Sequence, residues 1–240
     1  VIDISQLPEL ATVELSSKDT LRIGAAASYT SLMRHSAVRE RAPLIAAMAK
    51  DIGALQIQAR GSLGGNLATA SPAADGVAAL AAYDANIVVQ SVRGRRVIPF
   101  SELQTGYKAT SRAVDEVIVA VELPLPRAGS PWYWRKVGTR RAQAISKVAL
   151  AGLAEIVGGQ VVRCGLGMAS VAPTTALLQK TREHLLANRL AQIDDAELDK
   201  CVERDISPID DVRSTRGYRL HVAKAVVRDF VRALRQSTLT

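Results

Sequence analysis

The sequence predicts an α+β protein in two parts, and three observations carry that reading. Between residues 123 and 131 the run Leu-Pro-Leu-Pro-Arg-Ala-Gly-Ser-Pro sets three prolines and a glycine after a strand-like stretch, which divides the chain near residue 130 into parts 1–130 and 131–240. In the second part, two apolar runs over 145–157 and 161–171 flank Gly158-Gly159, a two-residue turn that tolerates positive φ and joins them as an antiparallel hairpin. The tail then repeats Val222, Val226, Val227, Phe230, Val231 and Leu234 at one-face helical spacing, with Arg and Asp opposite, so a last helix covers that sheet.

The elements of the first part follow from local chemistry. Residues 21–27 read as a strand, and the hydroxyls of Ser28-Tyr29-Thr30-Ser31 are suited to capping a helix that starts there. A second helix is expected over 43–51, entered through Pro43. Ser71 followed by Pro72 reads as an N-cap and first helical position leading into 77–83. Residues 86–92 and 95–100 form a hairpin through Gly94, and 116–123 alternates in part, as a half-buried strand does.

Composition narrows the function classes. With 240 residues, 48% hydrophobic and 22% charged, the chain has an ordinary folded balance and material for a sizeable core. No apolar run approaches the ~18–20 residues that span a bilayer, and no charged-then-apolar leader opens the chain, so a soluble, cytoplasmic protein is expected. Two cysteines, Cys164 and Cys201, are too few for a disulfide framework, a four-cysteine zinc site or a self-contained iron–sulfur cluster. The net charge of +8 comes almost wholly from residues 131–240, with 18 basic and 11 acidic side chains against 13 and 12 before them. Those charges are interspersed and short of stacking aromatics, so no nucleic-acid partner is expected.

Chemistry concentrates in Arg60-Gly61-Ser62-Leu63-Gly64-Gly65-Asn66-Leu67-Ala68-Thr69-Ala70-Ser71-Pro72-Ala73-Ala74-Asp75. Adjacent glycines remove the Cβ atoms that hold a ligand off the backbone, and Ser62, Asn66 and Thr69 add side-chain hydrogen bonds, which suits a phosphate-bearing ligand. The spacing matches neither the Rossmann nor the P-loop pattern. A tight turn between a strand and a helix explains the same residues without a ligand. Asp75 likewise has two readings: a carboxylate favoured by a helix N-terminus, or an acceptor for sugar or ribityl hydroxyls.

Ser62-Leu63-Gly64-Gly65-Asn66, with Ser71-Pro72-Ala73-Ala74-Asp75 nine residues on, resembles the second flavin loop in the FAD-binding subunit of molybdenum hydroxylases, the xanthine and carbon monoxide dehydrogenase family. Other stretches are similar to that family in order along the chain: Val1-Ile2-Asp3-Ile4-Ser5, Ile23-Gly24-Ala25, Asp115-Glu116-Val117-Ile118 with Leu123-Pro124, and Arg135-Lys136-Val137-Gly138-Thr139-Arg140-Arg141. In the far half, Gly167 with Ser170-Val171-Ala172-Pro173-Thr174, Ser207-Pro208-Ile209-Asp210-Asp211-Val212-Arg213 and Tyr218-Arg219 agree as well.

The resemblance implies the second portion of an FAD-binding domain followed by a three-stranded antiparallel sheet covered by helices. It implies non-covalent FAD, with Ser62, Leu63, Gly64, Gly65, Asn66 and Thr69 around the pyrophosphate, Asp75 on ribityl or neighbouring polar groups, and Ile118 in the cofactor set. Lys136 resembles the cation near the flavin's polar ring edge, where it stabilises charge on the reduced ring. Ile145 stands where the xanthine branch has an aliphatic residue and the carbon monoxide branch a tyrosine; as the start of a strand it is equally ordinary core. The implied role is electron relay from [2Fe-2S] clusters of a small subunit, in a complex with a molybdopterin-binding large subunit, to NAD or another acceptor. No catalytic or metal-ligating residue is expected on this chain.

Two departures qualify the match. Relatives carry an earlier segment with a first glycine loop of G-G-T/Q type, and this sequence starts at Val1 after where that segment ends, so a fragmentary chain is expected. In Gln56-Ile57-Gln58-Ala59-Arg60, read as the strand approaching the glycines, Gln58-Ala59 replaces a frequent Arg-Asn. The alternatives are a docking subunit of the same complex that has lost flavin, and a stand-alone flavin reductase or oxidase of the wider FAD-binding group. His35, His184 and His221 are scattered without a paired nucleophile or carboxylate, Cys164 reads as a buried hydrophobe and Cys201 as exposed but unreactive. Arg213, Arg216 and Arg219 are either a docking face or a solvated surface paired with Asp210 and Asp211. Tyr107, Trp132 and Trp134 either border the flavin or pack the two halves together.

Overall fold

The computed structural model describes residues 3–238, so Val1 and Ile2 of the first family-like stretch lie outside it. The chain opens with the hairpin β1 (Val13–Ser17) and β2 (Thr20–Gly24). Short helices follow: α1 (Tyr29–Arg34), α2 (Ser36–Arg41), α3 (Pro43–Lys50), α4 (Leu55–Arg60), α5 (Leu63–Thr69) and α6 (Asp75–Ala82). Next come β3 (Asn86–Ser91), β4 (Gly94–Pro99), α7 (Phe100–Leu103), the small pair β5 (Gln104–Gly106) and β6 (Ala109–Thr110), and β7 (Val117–Pro124). The second part holds β8 (Trp132–Val137), β9 (Val148–Val157), β10 (Gln160–Ala169), α8 (Gln179–Ala187), α9 (Asp195–Asp205) and α10 (Arg216–Ser237).

The first sheet is antiparallel in the order β1-β2-β7-β3-β4, with β7 inserted between two hairpins. Leu21, Ile23, Ile87, Val89, Val121 and Leu123 line its buried face. The β3–β7 register slips between Val88 and Val89 and pairs Val89 with Ile118, so the bulge carries Ile118 onto that inner face as well.

The second sheet, β10-β9-β8, is the expected three-stranded antiparallel meander. Strand period two splits β9 between two cores: Ala149, Ala151 and Leu153 join the first part's core, while Val148, Leu150 and Ala154 pack with Phe230, Val227 and Leu198 of the helices behind. The two halves of the sequence therefore share buried surface along this sheet. Helix α6, buried along its whole length and rich in alanine, lies flush on β10. The glycines of β10 permit the approach, because a Cβ on Gly165 would sit 1.8 Å from the Ala82 carbonyl oxygen and one on Gly167 2.2 Å from that of Ala78. On the opposite face the Phe230 ring covers Gly152.

Three local expectations need correction. The stretch 56–60 is helix, not strand: in α4 Gln58 is buried and its side-chain amide donates to the Lys50 and Ile52 carbonyls at 3.1 and 3.0 Å, satisfying the end of α3. Ser71-Pro72 does not start a helix. Ala70, at φ 46°, ends α5 in the left-handed region, Ser71 Oγ accepts from Ala73 N within the turn, and α6 begins at Asp75. The strand expected from residue 145 starts at Val148, which leaves Ile145 54% exposed and outside the core.

Candidate functional site

The glycine segment is neither an open loop nor a plain turn; it is the first turn of α5. Ser62 caps it, its Oγ accepting from Gly65 N at 3.2 Å, and Thr69 donates back to the Gly65 carbonyl at 2.8 Å. Gly64 N donates to the Ala25 carbonyl and Asn66 N to that of Ser62. Three of the amides that would line a free anion nest are thus already paired inside the chain. The two glycines also answer different demands. A Cβ on Gly64 would lie 2.5 Å from both Cβ and O of Ala25, so its bareness lets α5 press on the loop after β2. A Cβ on Gly65 would meet only Ser62 Oγ, at 3.4 Å, and Gly65 is exposed.

Two cavities flank this turn. The larger, about 770 Å³, is lined by Ser62, Gly64, Gly65 and Ile118, together with Arg60 and Arg112. The smaller, about 370 Å³, lies at the seam between the halves and is lined by Asn66, Asp75, Lys136 and Ile145, with Arg213 at its edge. Of the expected site residues, Leu63 is buried in the core and Thr69 faces solvent with its hydroxyl bonded back to its own helix.

The smaller cavity is organised by a buried ion pair. Lys136 Nζ lies 2.6 Å from Asp75 Oδ2 and donates to the Asp51 carbonyl at 2.8 Å; each side chain of the pair is only 10% exposed. The buried Ser146 hydroxyl donates to the other Asp75 oxygen, and Trp134 Nε1 donates to the Asp51 carboxylate at 2.8 Å. Burial pushes the Asp75 carboxyl above the usual carboxylate range, against the opposing pull of Lys136 and Ser146. Burial and the Asp75 charge likewise raise the Tyr29 phenol. Beside Gly76, Tyr29 OH and Asn66 Oδ1 are buried without a hydrogen-bond partner, polar atoms of the kind a bound group satisfies.

Residues outside the candidate set contribute here. Arg60 was adjacent to the glycines and legible. Asp51, Ser146 and Arg213 come from separate elements, and Arg112 from the segment between β6 and β7, so no local pattern announced them. Arg219 is not part of a docking face: it is 3% exposed and donates to the Ser170 and Lys147 carbonyls and to Asp211, pinning the 207–215 loop to the second sheet. Trp134 and Tyr133 pack on opposite faces of β8, against the first core and Phe230 respectively, whereas Tyr107 is exposed. Burial pushes the Cys164 thiol up to about 12, which makes it inert. Among the described residues no three His, Cys, Asp or Glu side chains are grouped to hold a metal, and no helix is long and apolar enough to cross a membrane.

A five-stranded antiparallel sheet under helices, a three-stranded sheet backed by α8 to α10, and a polar cleft at their seam define a two-part α+β protein of cofactor-binding type. The chain belongs to the FAD-binding medium-subunit family of molybdenum hydroxylases: residues 1–126 match the FAD binding domain in molybdopterin dehydrogenase and residues 133–234 the CO dehydrogenase flavoprotein C-terminal domain. It is 28% identical over 235 residues to the xanthine dehydrogenase FAD-binding subunit of Escherichia coli O157:H7, covering 96% of this chain and 80% of that one. It is also 28% identical over 236 residues to the carbon monoxide dehydrogenase medium chain of Hydrogenophaga pseudoflava, covering 95% and 79%. A solved structure of carbon monoxide dehydrogenase from the same organism, lacking the Mo-pyranopterin moiety, superposes with a TM-score of 0.91 at 26% identity over 99% of this chain and 81% of that one.

The residues present fit a flavin dinucleotide. Two cavities meet at one helix turn, the side of Gly65 is open, and the seam cavity is lined by Asn66, whose Oδ1 is buried without a partner, and by a buried carboxylate–ammonium pair.

Proposed function

We propose that this chain is the electron-relay subunit of a xanthine dehydrogenase-like molybdenum hydroxylase, accepting electrons from the [2Fe-2S] clusters of a small subunit and passing them to NAD or another acceptor, while a molybdopterin-binding large subunit hydroxylates the substrate. The observation that carries this reading is the Asp75–Lys136 pair at the seam, next to the open flank of Gly65. Bound FAD would supply the two-electron acceptor that no side chain can provide. The chain's own contribution is binding and electrostatics. Ser62, Gly64, Gly65 and Ile118 border the cavity assigned to the dinucleotide end, and Asn66, Asp75, Lys136 and Ile145 the cavity assigned to the ring.

Lys136 spends two of its three N–H groups on Asp75 and the Asp51 carbonyl, which leaves one for a polar ring edge. Its charge there lowers the cost of negative charge arriving on the ring. The exposed aliphatic Ile145 supports the xanthine-like branch and can cover a planar ring. Division into 1–130 and 131–240 puts the dinucleotide cradle in the first part and Lys136 in the second, so the seam couples them.

Purification of the chain with released-flavin analysis tests the reading. One FAD per chain, reducible when the iron–sulfur and molybdenum subunits are added with their substrate, is the expected result. A colourless chain that takes up no added FAD yet still joins those subunits would favour the docking role, and turnover of a substrate by the isolated flavoprotein would favour a stand-alone reductase.

A further inference from the structure

We infer that Arg60 and Arg112 form a cationic clamp on the wall of the larger cavity and take the charge of a dinucleotide's pyrophosphate, a role that rests on the flavin reading above. The glycine turn lacks the means to do this alone. Gly64, Gly65 and Asn66 N–H groups already donate to Ala25, Ser62 Oγ and Ser62 respectively, so a doubly charged pyrophosphate meets few uncommitted amides there. Neutralisation falls to side chains.

The wall beside the glycines carries two guanidinium groups, Arg60 and Arg112, and two carboxylates, Asp3 and Glu116. Glu116 is already neutralised. Arg96 grips it through two bonds at 2.6 and 2.8 Å, and Ala113 N donates to it at 2.7 Å. Asp3 accepts from Ser5 N at 2.8 Å and is exposed at the rim. Arg112 is fixed from behind: one terminal nitrogen donates to the Ala113 and Glu116 carbonyls, which set its position before any ligand arrives. Its other nitrogens have no partner in the described chain, and a planar guanidinium offers paired donors matched to phosphate oxygens. Arg60, exposed at the end of α4, makes no side-chain hydrogen bond within the described chain, and its charge is felt by the rim carboxylate of Asp3. It lines the same cavity as Arg112 and the glycines, as the second arm of the clamp.

The test titrates FAD into the full chain and its Arg112→Gln and Arg60→Gln variants at several salt concentrations, with melting curves to establish folding. Each substitution is expected to weaken FAD binding about tenfold or more, as loss of a charged hydrogen bond does. Each should also flatten the dependence of affinity on salt, because the removed contact was screened by it. Arg112→Lys, which keeps the charge but not the fork, is expected to fall between. Unchanged FAD affinity in both Gln variants overturns the clamp, and so does weaker binding with an unaltered salt slope. If Arg112→Gln fails to fold, Arg60→Gln decides alone, since that side chain makes no hydrogen bond to lose. Failure of the unmodified chain to take up FAD overturns the flavin reading itself, a result distinct from either.

Discussion

Replacing each of the adjacent glycines by alanine separates packing from ligand access. In Gly64→Ala the new Cβ falls 2.5 Å from Cβ and O of Ala25, 0.9 Å inside the 3.4 Å at which ordinary contact begins, and the close atoms include backbone. Overpacking of this kind costs about 1–3 kcal/mol. If α5 retreats, the Gly64 N–Ala25 O bond goes too, at about 1 kcal/mol, and the helix propensity of alanine returns up to ~1 kcal/mol. A net loss of about 2 kcal/mol lowers the melting temperature by roughly 4–8 °C in a chain of this size. In Gly65→Ala the Cβ meets Ser62 Oγ at 3.4 Å and nothing else, so stability should stay within about 0.5 kcal/mol of the unmodified chain. Differential scanning calorimetry of both variants is the assay. Equal melting temperatures would refute the assignment of Gly64 to packing. Gly65→Val, whose branched side chain projects into the larger cavity, should keep the fold and lose FAD; full retention of flavin by that variant would refute the assignment of Gly65 to ligand access.

Other outcomes follow from the buried charges and the helix–sheet contact. Lys136→Met strands the Asp75 carboxylate and should cost about 3–5 kcal/mol at pH 8. Because the Asp75 pKa is then raised further, the folded chain binds its proton more tightly than the unfolded one; the penalty should shrink toward pH 5, and Asp75→Asn in the same chain should remove most of it, as melts at both pH values would reveal. Glu116, held down to about 2 from 4.5 chiefly by Arg96 and then by Ala113 N, contributes stability that is present above pH 4.5 and lost as pH falls toward 2. An acid titration should therefore show Glu116→Gln losing less stability across that window than the unmodified chain. Gly165→Ala, with its Cβ 1.8 Å from the Ala82 carbonyl oxygen, should destabilise by about 1–3 kcal/mol in denaturant titration, and a neutral result would contradict the flush seating of α6 on β10.

Much of the architecture was legible because it rests on local periodicity. The β3–β4 hairpin announced itself through Gly94, the β9–β10 hairpin through Gly158-Gly159, and α10 through the one-face recurrence of Val222 to Leu234. Where reading failed, a distant partner had decided the backbone. Residues 56–60 look extended in isolation, but as helix α4 they seat the Gln58 amide on the Lys50 and Ile52 carbonyls at the end of α3, a partner no local pattern reveals. Ser71-Pro72 has the chemistry of a helix start, yet the left-handed Ala70 turns the chain and the Pro72 carbonyl accepts from Ser170 N, just past the end of β10.

The site divides in the same way. Sequence by itself marked the glycine segment as the seat of chemistry, put Asp75 in the first turn of a helix and pointed to the family, because these rest on residue types close together in the chain. That the glycines form the first turn of α5 under a Ser62 cap is not legible there, since Ser71 offers the same capping chemistry. Only tertiary structure decided that Asp75 and Lys136, 61 residues apart, share one buried contact, that the Glu116-bonded Arg112 stands on the same wall as Gly65, and that the neighbouring glycines serve different ends. Pairings of that kind depend on how sheets and helices stack, and burial then makes each polar group's energy depend on which distant partner the stacking supplies.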